Sequence, residues 1–427
     1  MMQPWFPEAK LGIFIHYGIY AVDGVAESWS FFTGQVPYDT YMKQLDGFTA
    51  SQYDPEAWAD LFVKAGAKYA VLTAKHHDGV ALWDTDANDL SVVKKTPAGR
   101  DLLGPYVEAL RKRDLKVGIY YSHLDWSHPD YASIYPTRDS VEQPGSSRYA
   151  NRFAYPAPGT EDPEAWKRFL LFHRAQIGEI NDRYGPIDLW WFDGEWERDP
   201  EQFDMAGLRD ELLAANPEMI ANSRLLEHGD YATPEQGVPI VPPEGPWEFC
   251  VTVNDSWGYQ AGDTNHKSVR QIVRMFAETI GMGGNMLLDI GPYADGSLQP
   301  EQVERLEGLG AWIEKHRSAV YGTGRGLPGG LFYGASTLSE DGKKLNLFFF
   351  DQPVDQLAVK GLLTDVKGVR VLSSGRELNH TKIGGLGETP GVVWIDWPKD
   401  EPIDPHATVI EMEFDEPVRV YVGAGRG

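Results

Sequence analysis

Short apolar runs alternate with amphipathic helical stretches over about 320 residues, a pattern that few folds satisfy. The stretch "KLGIFIHYG" predicts a buried strand. "DPEAWADLFVKAGAK" predicts a helix, with an acidic start, apolar residues at helical spacing and a glycine after the last turn. "YAVLTAKHHDG", "KVGIYYSHLDW", "IDLWWFDGEW", "MIANSR", "PWEFCVTV" and "NMLLDIG" predict further strands, with helical patterns interspersed between them. Repeated strand–helix units build a parallel sheet with right-handed crossovers. About seven or eight such units favour a closed (β/α)8 TIM-like barrel over an open doubly wound sheet. The open sheet would carry a glycine-rich phosphate turn after its first strand, and the sequence has none there.

The pattern changes after "SAVYGTGRGLPGG", a glycine- and proline-rich stretch that reads as a boundary. Beyond it, "KLNLFFFD", "GVRVLSSG", "GVVWIDW", "ATVIEMEFD" and "PVRVYVG" are short strands separated by turns. The expected division is a catalytic α/β barrel over residues 1–325 and a small all-β sandwich over 326–427.

Charge and cysteine usage narrow the function classes. The chain holds 63 acidic against 39 basic residues, a net charge of −24. Such a surface disfavours nucleic acid and anionic membranes, which select clustered Lys and Arg. No run of about 18 apolar residues predicts a membrane span. The opening "MMQPWFPEAKLGIF" has no basic segment followed by an apolar one and a small-residue cleavage site, so a cytoplasmic address is expected. A single cysteine, Cys250, allows no intramolecular disulfide and no cysteine-based metal cluster.

In a barrel, chemistry collects where strands run out at their carboxyl ends. Those ends carry His16, then Lys75, His76, His77 and Asp78, then Tyr121, Ser122, His123, Asp125 and Trp126. They continue with Asp193 and Glu195 after Trp191, then Asn222 and Arg224, a loop bearing Glu235, then Trp247, Glu248 and Trp257, and finally Asp289. Each residue alone has a structural explanation: a hydrogen-bonded histidine, a capping aspartate, a glutamate paired to a helix. Their concentration on one rim is what points to a site.

The doublet "HHD" suggests metal ligands, but strand one supplies only His16 where an HxH pair would be wanted. Neighbours on a regular strand point to opposite faces, so His76 and His77 are not both expected in the barrel mouth. HExxH and DxDxDG motifs are absent, as is the G-x-S-x-G elbow of serine hydrolases. No metal and no organic cofactor is expected. Paired carboxylates fit better: glycoside hydrolysis uses one ionised and one protonated carboxyl, and aromatic walls help keep the second neutral. Histidines and an arginine suit sugar hydroxyls, and indole rings suit the apolar face of a sugar.

With those residues in view, the sequence resembles the α-L-fucosidases of glycoside hydrolase family 29. The blocks "LGIFIHYGIYAV", "AESWSFF", "AKYAVLTAKHHDGVALWDT", "VGIYYSHLDW", "DLWWFDGEW", "ANSR", "WEFC", "SWGY" and "GGNMLLDIGPYADG" are similar to that family's, in order, through nearly the whole barrel. The resemblance implies a retaining exo-acting α-L-fucosidase whose partner is a fucosylated oligosaccharide or glycoconjugate. It implies Asp193 as nucleophile and His16, His76, His77 and Arg224 as holders of the sugar, with Trp257 near its methyl group. Tyr121 and Trp191 are placed with the same substrate-binding set. A Glu–Trp pair after strand one binds sugar in some members, which implies Glu27 and Trp29 as further substrate-binding residues; here the order is Glu27-Ser28-Trp29, which shifts the match by one residue. For the acid/base, Glu235 in "TPEQ" and Glu248 in "WEFC" both stand, Glu235 being favoured. The alternatives are a non-catalytic binder of fucosylated glycans and a hydrolase of a related sugar such as an α-L-galactoside. The loop around "SSRYANRFAYPAPGTEDP" is expected to set linkage preference, and "TGQVPYDTYMKQLDGF" to cover the sugar or build a homo-oligomer contact.

Overall fold

The structure is a computed structural model that describes residues 2–131 and 162–423; the linkage loop assigned above lies almost entirely outside them. Seven parallel strands form the core: β1 (Leu11–Ile15), β2 (Tyr69–Lys75), β3 (Lys116–Ser122), β4 (Leu189–Asp193), β5 (Ile220–Ala221), β6 (Glu248–Thr252) and β7 (Asn285–Ile290). Their order is β5-β4-β3-β2-β1-β7-β6. Nearly every residue in them is buried, as expected of strands covered on both faces.

The gap between β5 and β6 is closed by the segment 231–235. It makes parallel bridges Asn222 to Tyr231 on one side, and Ala232 to Trp247 and Glu235 to Cys250 on the other. The amides of Ser223, Glu248 and Cys250 donate to the carbonyls of Tyr231, Ala232 and Pro234 over 2.7, 2.9 and 3.1 Å. This segment is the eighth stave of the barrel. Pro234 has no N–H to give, so the stave pairs through its carbonyls and its other amides. Glu235, expected in a loop, instead stands at the end of a stave.

Strand alternation sorts the side chains into two layers. Phe14, Tyr69, Val71, Tyr120, Leu189, Trp191, Ile220, Cys250 and Leu287 fill the barrel interior. Ile13, Leu72, Ile119, Tyr121, Trp190, Phe192, Phe249 and Leu288 face outward, into the helical layer. The bottom is plugged by Phe6, whose ring packs 4.4 Å from that of Tyr231 and 6.0 Å from that of Tyr69. The covering helices begin where capping residues allow. Asp54 accepts from Ala57 N ahead of helix Pro55–Ala65, which Gly66 ends at φ 92°, a conformation that costs glycine little. Asp162 caps Pro163–Tyr184, and Ser268 with Gln271 forms a capping box for Val269–Gly281.

Eight antiparallel strands follow. Strands β8 (Thr323–Arg325), β9 (Ala335–Ser339), β10 (Lys344–Phe349), β12 (Gly368–Val371) and β15 (Thr408–Glu413) form one sheet; β11 (Gln356–Val359), β13 (His380–Leu386) and β14 (Thr389–Asp396) form the other. Leu345, Leu347 and Phe349 meet Leu357, Val393 and Ile395 in one buried cluster, so the two sheets make a sandwich. The alternate residues Phe348 and Val409 pack instead against the barrel's helices, where Trp312 donates to Ala407 O over 2.9 Å. The sandwich therefore covers a flank of the barrel. No helix among the described residues is long and apolar enough to cross a membrane.

Candidate active site

At the carboxyl ends of the strands lies a cavity of about 370 Å³ lined by Phe14, His16, Trp29, His76, Tyr120, Trp191, Asp193, Trp196, Arg224, Glu235 and Trp257. A second cavity, about 400 Å³, lies where the loop after Glu235 meets the sandwich, and it is bordered by Val238, Ile240, Leu327, Phe332 and Phe350. Only Glu278 and Arg325 among its lining residues are charged. The first cavity is where ionisable groups converge, and convergence rather than volume marks a site.

Asp193 ends β4 and is 8% exposed. Gly194 follows at φ 88°, in close approach to Leu124: a Cβ there would lie 2.3 Å from Leu124 Cγ. This left-handed glycine turns the chain sharply and leaves the Asp193 carboxylate at the strand end, which accounts for the acid–glycine–acid run of "FDGE". The carboxylate accepts from the Tyr120 hydroxyl at Oδ2 over 2.8 Å and from Arg224 at Oδ1.

Arg224 donates its other terminal nitrogen to Glu235 Oε2 over 2.6 Å, so one guanidinium joins the two carboxylates. Its plane lies over the Trp191 ring, 4.6 Å from the centroid, which adds a cation–π contact. Trp191 is held from behind by Glu248, which accepts from its indole Nε1 over 2.9 Å and from the Tyr69 hydroxyl. Glu248 is wholly buried and lies outside the cavity lining, beneath the indole.

The three histidines share a design. His16 Nδ1 lies 2.6 Å from Asp289 Oδ1, His76 Nδ1 lies 2.7 Å from Ser28 Oγ, and His77 Nδ1 lies 2.6 Å from Ser122 Oγ. Burial pushes all three well below the ordinary histidine pKa, so they are neutral near pH 7. His76 stacks on Tyr120 at 5.5 Å and 3°, and His16 packs on Trp257 at 5.1 Å. Trp29 and Trp196 lie nearly parallel, 6.1 Å apart.

Burial raises three further carboxyls to about 7: Glu27, Glu248 and Glu195, the last also pushed up by the charge of Asp193. Glu27 accepts from Gly258 N over 3.4 Å, under the cavity wall.

Several placements differ from the sequence expectation. Tyr121 points out of the barrel and donates to Gln176 over 2.8 Å; its neighbour Tyr120 is the one that reaches the site. The strand pleat decides this, and "YY" conceals it because both positions are apolar in pattern. His76 and His77 both approach Asp193, contrary to the pleat argument, because β2 ends at Lys75 and the two residues lie beyond it, His77 within a turn. His77, expected to hold the sugar, is wholly buried and outside the cavity lining, with its Nε2 3.6 Å from Asp193 Oδ2. Phe14, Tyr120 and Trp196 line the cavity as well; a period-two count back from His16 and from Ser122 finds the first two.

His76, His77 and Asp193 bring one potential ligand atom each within 4.8 Å of one another. Both oxygens of Asp193 already accept from Tyr120 and Arg224, and a cation there would face the guanidinium. The trio is better suited to hydrogen bonding than to a metal.

A family model described as Alpha-L-fucosidase matches residues 1–318. The tissue alpha-L-fucosidase of Bos taurus is 31% identical over 349 residues, covering 75% of this chain and 69% of that protein. The structure is similar to that of alpha-L-fucosidase isoenzyme 1 from Paenibacillus thiaminolyticus, with a TM-score of 0.85, 33% identity and coverage of 96% and 98% of the two chains. It is similar as well to an alpha-L-fucosidase of glycoside hydrolase family 29 from Bacteroides thetaiotaomicron, trapped as a covalent intermediate with 2-fluoro-fucosyl fluoride. There the TM-score is 0.80 and the identity 26%, over 97% and 95% of the chains.

Proposed function

Because this chain belongs to the alpha-L-fucosidase family, we propose that it is a retaining, exo-acting α-L-fucosidase that releases terminal α-L-fucose from oligosaccharides or glycoconjugates. The observation that carries the assignment of roles is the Arg224 fork, which holds Asp193 and Glu235 together at one cavity. Retention calls for two closely spaced carboxyls on one reaction centre.

In the first step Asp193 attacks the anomeric carbon. The bond to the leaving oxygen breaks as that oxygen takes a proton from Glu235, and a fucosyl ester forms on Asp193. In the second step Glu235 removes a proton from water, the water oxygen bonds to the anomeric carbon, and the Asp193 carboxylate leaves. Glu235 accepts from Arg224 through Oε2 in the resting site, which leaves Oε1 to carry the transferred proton. His16, His76, Tyr120 and Arg224 offer the polar contacts for the sugar's hydroxyls; Phe14, Trp191 and Trp257 offer apolar faces for its ring and methyl group. Glu27 stands below the wall that Trp257 belongs to, within reach of backbone rather than of the open cavity. Glu248 serves as the support of Trp191 and not as the acid, because the indole lies between it and the cavity. The route uses no metal or organic cofactor.

The test is incubation with an aryl α-L-fucoside, following phenol release and, by proton NMR, the anomer that forms first. Release of α-L-fucose before mutarotation supports the reading. Absence of hydrolysis, or initial release of the β anomer, overturns it. Running an aryl α-L-galactoside beside it tests the methyl-sized space near Trp257, and the fucoside should be the better substrate.

A further inference from the structure

His77 stands 3.6 Å from the nucleophile with Nε2 buried and unpartnered, and the tautomer it adopts decides what Asp193 meets there. Ser122 Oγ lies 2.6 Å from His77 Nδ1 and 2.9 Å from Leu124 O, and accepts from Leu124 N over 3.0 Å. A hydroxyl has one hydrogen and two lone pairs. The Leu124 carbonyl can only accept, so it takes the hydrogen. The Leu124 amide takes one lone pair, and the second lone pair faces His77.

We propose that Ser122 is a positioning residue that locks His77 in the tautomer protonated at Nδ1, so that Nε2 faces Asp193 as an acceptor. This rests on the role assigned to Asp193 above. Three independent features agree with it. The Nε2–Oδ2 separation of 3.6 Å exceeds the span of an N–H···O bond, as expected of two acceptors held side by side. Oδ2 already receives its hydrogen from Tyr120. The imidazole is also caged: Trp29 and Trp196 meet it at right angles, 5.6 and 5.7 Å away, and Trp126 lies 4.9 Å away. These three rings fix the plane of the imidazole, so that Nδ1 stays on Ser122 and Nε2 on the side of Asp193.

The consequence concerns the nucleophile. A proton on Nε2 would point at Asp193 Oδ2, and a small closure of the gap would give that oxygen a second donor. A carboxylate with more hydrogen bonds to its charged form is a weaker base and a weaker nucleophile. Ser122 is the strand partner of Asp193 in the β3–β4 register. The same pairing that mounts the nucleophile therefore mounts the group that keeps the neighbouring imidazole from quenching it. The other groups facing His77 are Lys75 and Arg224, both cationic, and His76 and His16, both neutral; the cations oppose a second proton on the ring.

The experiment is long-range proton–nitrogen NMR of the histidine side chains in the full chain at pH 7, with the His77 signals identified by their loss in His77→Gln. The expected wild-type pattern has the proton on Nδ1. In Ser122→Ala the proton should shift to Nε2 in whole or part, and kcat on an aryl α-L-fucoside should fall about tenfold with KM changed less than about twofold. Ser122→Thr, which keeps the hydroxyl, should retain the wild-type tautomer and most of kcat. A wild-type spectrum with the proton on Nε2 overturns the proposal without recourse to any variant. An unchanged tautomer or an unchanged kcat in Ser122→Ala overturns it as well. If the wild-type protein cleaves no α-L-fucoside, it is the assigned activity that fails, while the spectrum still reports which nitrogen Ser122 selects.

Discussion

Tyr120 donates to Asp193 Oδ2 over 2.8 Å although the two are not strand partners; the β3–β4 register pairs Tyr120 with Trp191 and Ser122 with Asp193. The long phenol reaches one rung up the barrel, inside it, and its hydroxyl meets the carboxylate at the top of the next strand.

Tyr120→Phe should therefore cut turnover while sparing the fold. A hydrogen bond to a charged group contributes about 1.5–3 kcal/mol and here fixes the direction in which Asp193 points, so the lost alignment outweighs the basicity gained and kcat/KM should fall roughly ten- to a hundredfold. Tyr121→Phe should leave kcat/KM within about twofold and lower stability by about 1 kcal/mol through loss of its bond to Gln176. Steady-state kinetics and urea unfolding of the two variants check both. Equal losses of activity would put Tyr121 back among the site residues.

The two candidate acids separate by leaving group. Asp193→Gly should lose several powers of ten in turnover, with azide restoring part of it as a fucosyl azide. Glu235→Gln should lose roughly a hundredfold or more on poor leaving groups and much less on a dinitrophenyl fucoside. Glu248→Gln should lower activity by the same factor on both, since it acts through the seat of Trp191. A leaving-group dependence in Glu248→Gln and none in Glu235→Gln would reverse the assignment.

Arg224→Lys is the third case. Lysine offers a point charge in place of a planar fork and has no way to bind two carboxylates in fixed geometry. The expected loss is at least about tenfold in kcat/KM, with the folded state retained, as measured by kinetics and thermal melting. Full activity would mean that the fork does not organise the pair.

Glu195 links the site to stability. Burial and then the charge of Asp193 raise its pKa to about 7, against roughly 4.3 in an unfolded chain. Between those values the folded state binds the extra proton, so this residue's contribution to stability declines as pH rises through that window. Its Oε2 has no hydrogen-bond partner, so Glu195→Gln removes the titration without breaking a bond at that atom. The melting temperature of Glu195→Gln relative to wild type should rise from pH 4.5 to pH 7.5 and level off above it. A difference independent of pH would contradict the shift.

Much of the site was legible because a parallel barrel converts sequence period into geometry. Apolar runs mark strands, their ends mark the rim, and Asp193, His16, His76 and Arg224 could be named from position alone. Where a strand stopped mattered more than its pattern: the pleat rule would have parted His76 from His77, and the end of β2 at Lys75 set it aside. "YY" and "WW" gave no means of choosing between neighbours, since both residues of each pair are buried, one inside the barrel and one beneath a helix.

The strand–helix alternation, the all-β tail and the supply of carboxylates, histidines and indoles at strand ends are all written in the order of residues, because they follow from local period and from which residue stops a run. Which of them meet is settled only when the ring of strands closes. Glu235 lines the cavity because its segment closes the ring between β5 and β6, and Glu248 lies outside the lining with the Trp191 indole between. Those outcomes depend on lateral pairing between segments distant in the chain, a relation that no local period encodes.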